Sequence, residues 1–344
     1  MEKIKDNRIF FLDVLNVLAI ISVVALHMNG IVHTYSPNRS WATSLVMECV
    51  FYYAVPVFFM ITGANLLNYR QKYDTKTYFK KRFIKVLIPA MFWILFVVVW
   101  KTKMGWLEVK SIKDFFNIIF SNQEETTYYF IWEILGVYLT IPIISLIINE
   151  RKDSTKTTWY FVIVFFIFNS LLPFCFSLAG ITYNGAFSLR IGEYFIFVVL
   201  GYLLLKTDIK KRDRIIIYVL GFLCIVFRYF MTYYFSRKSG VLITTTWGYT
   251  RPHSIILAVS VFVFFKYLNY NGISDNIKKI FITLSGCSYG IYLIHLIIKY
   301  YETDLFNLNI YSWEYRTFGI LLTYFISLLI VYIFKKIPIL KRIV

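Results

Sequence analysis

Asn16 and His27 stand eleven residues apart in one apolar run near the start of the chain, FFLDVLNVLAIISVVALH. In an α-helix eleven residues make three turns plus about 20° and rise about 16 Å, so the two side chains share a face. Asp13 lies on nearly the same face, closer to the N-terminus. A polar or ionisable group inside a membrane span costs about 3 kcal/mol, so this stripe has to line a cavity or the interior of a bundle. The chemistry it offers is that of histidine, a general base or nucleophile near neutral pH.

Five other ionisable residues fall at the depth of His27 when each apolar run is measured from the same end. They are Glu48 in the second run, Glu133 in the fourth, Glu193 in the sixth, Arg228 in the seventh and His295 in the ninth. A carboxylate beside a histidine fixes its tautomer and stabilises the imidazolium, so Glu48 or Glu133 is expected to orient His27. The blander alternatives stay open. Either glutamate could neutralise Arg228 or Arg190 inside the bundle, and His27 could be a packed histidine bonded to a backbone carbonyl. A second constellation opens the third run, Lys80-Lys81-Arg82-Phe83-Ile84-Lys85, with Pro89 beyond it. Arg82 and Lys85 are three apart and project from one helical face. They suit either anionic lipid headgroups or the phosphates of a cytosolic ligand.

The elements that must position these residues follow from composition. Of 344 residues 58% are hydrophobic, 20% aromatic and only 16% charged, and the mean hydropathy is +0.62. A soluble domain carries about a quarter charged residues, so the chain reads as an all-α polytopic membrane protein. Its apolar runs are continuous and lack the period of two of an outer-membrane barrel. About ten transmembrane helices are expected, near 10–32, 42–67, 83–100, 128–148, 158–178, 190–205, 215–235, 252–270, 281–300 and 316–334. The sixth is short enough to be tilted or re-entrant. The first is too long for a cleaved signal peptide and has no small-residue cleavage site. No repeat or large soluble insertion interrupts residues 1–344, which read as one membrane domain.

The net charge of +18 is read as loop topology and not as nucleic-acid binding. About 25 of the basic residues fall on one side of the alternating loops, which predicts both termini in the cytoplasm. These include Lys3, Lys5, Arg8, the stretch from Arg70 to Lys85, Arg151, Lys152, Lys156, Lys206 to Arg214, Lys266, Lys278, Lys279 and the tail from Lys335. The opposite side carries two sizeable loops, about 101–127 and 236–251. Cys49, Cys175, Cys224 and Cys287 all lie in apolar runs without metal-ligand spacing and read as small buried hydrophobes. No metal site is expected. Walker A, G-x-S-x-G and H-E-x-x-H signatures are all missing.

Six stretches, in order, resemble acyltransferase family 3, the multi-pass membrane acyltransferases that O-acetylate surface polysaccharides, peptidoglycan and related acceptors. The opening run ending in His27 resembles the family's first helix. VPVFFMITGANLL resembles its F-[FL]-x-[IL]-[ST]-G-x-x-L stretch through Phe58, Thr62 and Gly63. FKKRFIKVLIP is similar to its basic R-x-x-R segment before a proline, GVYLTIP to its G-x-Y-L-x-x-P stretch, and YFIFVVLGYLL to its Y-F-x-x-G-Y-L-L stretch. CSYGIYLIH resembles its late motif through Tyr289, Gly290, Tyr292 and His295. Two positions depart. Asn16 stands where the family carries arginine, and Lys85 replaces the second arginine of R-x-x-R, keeping charge but losing the bidentate fork.

The resemblance implies an acetyl-CoA-dependent O-acyltransferase in a bacterial plasma membrane, with a glycan or lipid-linked sugar as acceptor. It implies His27 at the reacting centre, Arg82, Lys85, Asp13 and Asn16 along the path of the acyl-CoA, and Tyr289, Tyr292, His295, Arg228 and Glu193 toward the acceptor. The competing readings are a transporter of a polysaccharide or small polar solute, and an inactive relative.

Overall fold

A computed structural model describes residues 8–149 and 154–344; Lys3, Lys5, Arg151 and Lys152 lie outside them. Fourteen α-helices and no strand occur among the described residues. The first half holds α1 (Phe10–Met28), α2 (Arg39–Phe51), α3 (Ala54–Leu66), α4 (Thr75–Arg82), α5 (Ile88–Lys103), α6 (Ile112–Phe120) and α7 (Tyr129–Asn149). The second holds α8 (Ser154–Phe165), α9 (Leu172–Leu178), α10 (Phe195–Lys206), α11 (Lys211–Ser239), α12 (Pro252–Lys266), α13 (Asp275–Leu305) and α14 (Ile320–Lys336).

Each of the ten predicted runs contains a helix, but among the described residues eight helical stretches are long and apolar enough to cross a membrane. The exceptions are α10 with 12 residues and α12 with 15. Spanning about 30 Å of hydrocarbon takes about 20 residues. In α10 every residue from Phe195 to Leu204 is buried, so it is a core helix sheathed by protein. By contrast α11 presents an apolar face outward, with Val219, Phe222, Leu223 and Phe230 exposed. Cys175 on α9 is exposed as well, contrary to the buried position expected for it.

Prolines set the irregularities. Pro56 has no N–H for the carbonyl of Tyr52, and the second predicted run breaks there into α2 and α3. Pro89 and Pro173 each follow a π-helical turn, Phe83–Leu87 and Phe166–Leu171, which makes room for the ring against the preceding turn. Side-chain caps start other helices: Asn38 accepts from Trp41 N, Asp74 from Thr77 N and Ser274 from Ile277 N. The same bonds to Thr77 hold the exposed Asp74 carboxyl below its usual range.

The predicted loop 101–127 contains α6, whose Ile112, Phe116 and Phe120 form one exposed apolar stripe at spacing four. Such a helix is suited to lie in the membrane interface. At the centre α1 packs against α3, α12, α13 and α14. The polar face of α1 therefore looks into a ring of neighbouring helices.

Candidate active site

A cavity of about 400 Å³ follows the polar face of α1. Asn16, Lys85, Ser285 and Gly286 line one end, and His27, His33, Glu48 and Tyr249 the other. Thr62, Tyr138, Tyr289 and Tyr292 line the wall between them. Asn16 and His27 sit on one helix at the spacing expected, about 16 Å along its axis.

His27 has a histidine as its partner. Its Nδ1 lies 2.6 Å from Nε2 of His295. The ring planes are 11° apart with centroids at 4.9 Å. Rings stacked face to face could not bring two nitrogens so close, so the pair lies edge to edge, along the in-plane lone pair. Nδ1 of His295 lies 2.7 Å from the carbonyl of Tyr292 and 3.1 Å from that of Ile291. Carbonyls only accept, so this nitrogen carries the proton and Nε2 of neutral His295 must accept. His27 is thereby the donor at Nδ1. Its Nε2 bears the lone pair and makes no hydrogen bond to the protein among the described residues. Lys299, one turn beyond His295, donates to the backbone carbonyl of His27 at 2.7 Å and holds the end of α1.

The carboxylates stand elsewhere than expected. Neither Glu48 nor Glu133 bonds His27, and neither forms an ion pair within 4 Å with Arg228 or Arg190 among the described residues, although the Arg228 charge is close enough to act on Glu48. Glu48 is buried, lines the His27 end of the cavity and leaves Oε2 without a partner. Glu133 is half-buried outside the cavity lining, near Glu193. Glu193 precedes α10 in an exposed turn and is not in a span. Arg228 is fully buried over the Tyr52 ring, 3.2 Å from its centroid, with no hydrogen-bond partner for its three nitrogens. Depth along a helix placed these groups in one layer; the turn of each helix about its own axis points only some of them at His27.

At the other end, Asp13 does not line the cavity. It holds Arg8 through two contacts at 2.7 and 2.5 Å. Asn16 donates to the carbonyl and the hydroxyl of Ser285, both at 3.0 Å, and ties α1 to α13 where the family's arginine would stand. Lys85 lines the mouth from the π turn before Pro89. Arg82 lies just outside, its guanidinium 5.4 Å from the ring of Tyr138, with Nε buried and unpartnered. Tyr289 donates to the carbonyl of Val86 at 3.0 Å, and Tyr292 to that of Thr127 at 2.7 Å. Both rings line the cavity while their hydroxyls tie α13 to its neighbours. Lys335 donates to the carbonyl of Gly286 beside the mouth.

Two site residues escaped the sequence reading. His33, exposed at its surface, lies past the end of α1 in a short 3-10 turn, and partial desolvation, aided by the Lys299 ammonium, pushes its imidazole below the usual value. Lys299 lies four residues after His295, and that one-turn spacing was the available signal.

No curated protein and no solved structure matches the chain. The profile of the acyltransferase domain of family 3 matches residues 9–332. That match takes in the His27 helix, the basic mouth and the His295 helix together, and the chain belongs to acyltransferase family 3, as a multi-pass membrane acyltransferase.

Proposed function

We propose that this protein moves an acetyl group from cytosolic acetyl-CoA to a hydroxyl of a cell-surface or lipid-linked glycan, in the plasma membrane of a bacterium. The observation that carries the reading is the free Nε2 of His27, held in the base-competent tautomer through His295, on a cavity whose far end is basic. Lys85 at the mouth and Arg82, whose buried Nε lacks a partner, fit an anionic donor. They would hold the phosphates of acetyl-CoA, while its arm lies along Tyr138, Tyr289 and Tyr292 toward His27.

In direct transfer, Nε2 of His27 takes the proton of the acceptor hydroxyl as its oxygen attacks the thioester carbonyl. The C–O bond forms, the C–S bond breaks, and the imidazolium returns the proton to the leaving thiolate as CoASH. His295 steadies the imidazolium through Nδ1. In the relay variant of the same chemistry, Nε2 itself attacks the thioester carbonyl, so that an N–C bond forms as the C–S bond breaks and the CoA thiolate leaves. The acceptor hydroxyl then attacks the acyl-imidazole, the N–C bond breaks as the C–O bond forms, and the hydroxyl's proton balances the thiolate as CoASH.

The test is radiolabelled acetyl-CoA with purified protein in nanodiscs, with and without lipid-linked glycans. CoA release that disappears in His27→Ala, with an unchanged thermal melt, is the expected result. Acid-labile label on the protein would select the relay. A well-folded wild type that neither binds nor turns over acetyl-CoA, even with glycans present, sinks the proposal.

A further inference from the structure

A second cavity, about 550 Å³, opens at the His27 end of the bundle. Its volume lies within the range of ligand sites, about 300–1,000 Å³. Trp106 and Tyr300 form one wall, and Lys101, Gln123, Lys299 and Asp304 bring polar groups around them. The Trp106 ring is 51% exposed and stands 5.4 Å from Tyr300 and 5.4 Å from Trp100, centroid to centroid.

The partition from the first cavity is thin and polar. On one side Lys299 bonds the carbonyl of His27. On the other, Lys101 is paired with Glu125 at 2.9 Å, and Glu125 accepts from the hydroxyl of Thr127 at 3.2 Å, a residue of the first cavity's lining. The lining mixes these polar groups with Met28, Ile31, Leu107 and Ile310. A lipid tail would call for an apolar lining. A phosphate would call for uncommitted cations, whereas Lys101 is ion-paired and Lys299 is bonded to a carbonyl. A half-open aromatic face ringed by an amide, a carboxylate and ammonium groups matches a pyranose. Its C–H face packs on the rings, and its hydroxyls both donate and accept.

We propose that this second cavity is a subsite for a sugar ring of the acceptor, stacked on Trp106 and Tyr300 next to the transfer site. The proposal rests on the acyltransfer reading only for the word acceptor; sugar binding itself does not depend on it. Trp106 is half-exposed, so removing it empties no core. Gly30 lines the same cavity, and a Cβ added there meets nothing within 4 Å, so a large residue at Gly30 is tolerated by the backbone and is expected to crowd the cavity.

The experiment has two arms on the full chain in nanodiscs. In the first, β-linked N-acetylglucosamine tetramer and α-linked glucose tetramer are titrated by calorimetry against wild type, Trp106→Ala and Gly30→Trp. Wild type is expected to bind at least one tetramer, and each variant to bind it at least tenfold more weakly. In the second arm, acetyl transfer from radiolabelled acetyl-CoA to that tetramer is followed, and the variants' loss should fall on KM for the sugar more than on kcat. Failure of wild type to bind either tetramer, or equal binding by both variants, overturns the subsite. Sugar binding that the variants weaken, with no transfer by wild type, upholds the subsite and removes the acyltransfer reading instead.

Discussion

An imidazole takes a proton at one nitrogen best when its other nitrogen is held by an acceptor, and in this protein the acceptor is a second imidazole. His295 can serve because its own Nδ1 is committed to the carbonyls of Tyr292 and Ile291. Take His295 away and the tautomer of His27 is no longer fixed, although His27 itself, Lys85 and the cavity remain. A positioned general base contributes roughly 10²–10⁴-fold. His295→Ala is therefore expected to lower kcat by about 10²-fold or more, with KM for acetyl-CoA changing by only a few-fold. His295→Gln keeps an amide oxygen that can accept from Nδ1 of His27. It should recover at least about tenfold of that loss, part of the same general-base range. Steady-state CoA release at saturating donor is the measurement. Equal activity in the alanine and glutamine variants would show that the hydrogen bond does not act on catalysis. A deficit confined to KM would show that His295 serves donor binding instead.

At the scale of elements, the wall opposite α1 depends on a crossing with no room for a side chain. A Cβ on Gly63 of α3 would sit 1.8 Å from the carbonyl oxygen of Val198, and one on Gly201 of α10 would sit 1.9 Å from that of Met60. Helices in a membrane are held by packing, and small residues at a crossing let backbones meet. Here the obstruction is backbone, which cannot swing aside. Gly201→Val should cost more than the roughly 1–3 kcal/mol of ordinary overpacking, read as a lowered thermal melt in detergent. Gly136→Ala on α7, where an added Cβ meets nothing within 4 Å, is the control expected to leave the melt unchanged. A normal melt for Gly201→Val would mean that α3 and α10 do not cross so closely. The crossing also marks how far the sequence was legible. Hydropathy located a helix in each apolar run, and helical periodicity put Asn16 and His27 on one cavity. Neither could show that Gly63 meets the backbone of Val198 and Gly201 that of Met60, or that α10 is sheathed in protein. Both depend on contacts between runs more than a hundred residues apart. The expected carboxylate partner of His27 failed for the same reason: depth is readable from one helix, whereas facing direction belongs to a pair.

For the molecule as a whole, the question is which way the two ends of the bundle face and whether the short helices traverse it. The end with the Lys85 mouth shares its side of the alternating loops with Arg70, the run from Lys206 to Arg214, and the tail from Lys335. The positive-inside rule predicts that end in the cytoplasm, where CoA is found. The last turn of α12 meets the last turn of α10. Lys266 donates to the carbonyls of Leu204 at 2.7 Å and Thr207 at 2.6 Å, and Tyr267 donates to Asp208 at 2.7 Å. That bond to Tyr267 keeps the exposed Asp208 carboxyl below its usual range. Since α11 leaves this corner and α12 returns to it, α12 is expected to complete a pass despite its 15 residues. Ten passes and both termini in the cytoplasm follow if α10 also counts as one. In spheroplasts of a variant whose native cysteines are replaced by serine, a membrane-impermeant maleimide should label Lys110→Cys, Ser239→Cys and Asn309→Cys. It should reach Lys72→Cys, Asn271→Cys and Lys341→Cys only after permeabilisation. The reverse pattern would turn the basic mouth outward and leave cytosolic acetyl-CoA no entry. Labelling of Asn271→Cys and Lys341→Cys in intact spheroplasts, with Asn309→Cys protected, would show that α12 does not cross, and would place α13 and α14 in the opposite directions through the membrane.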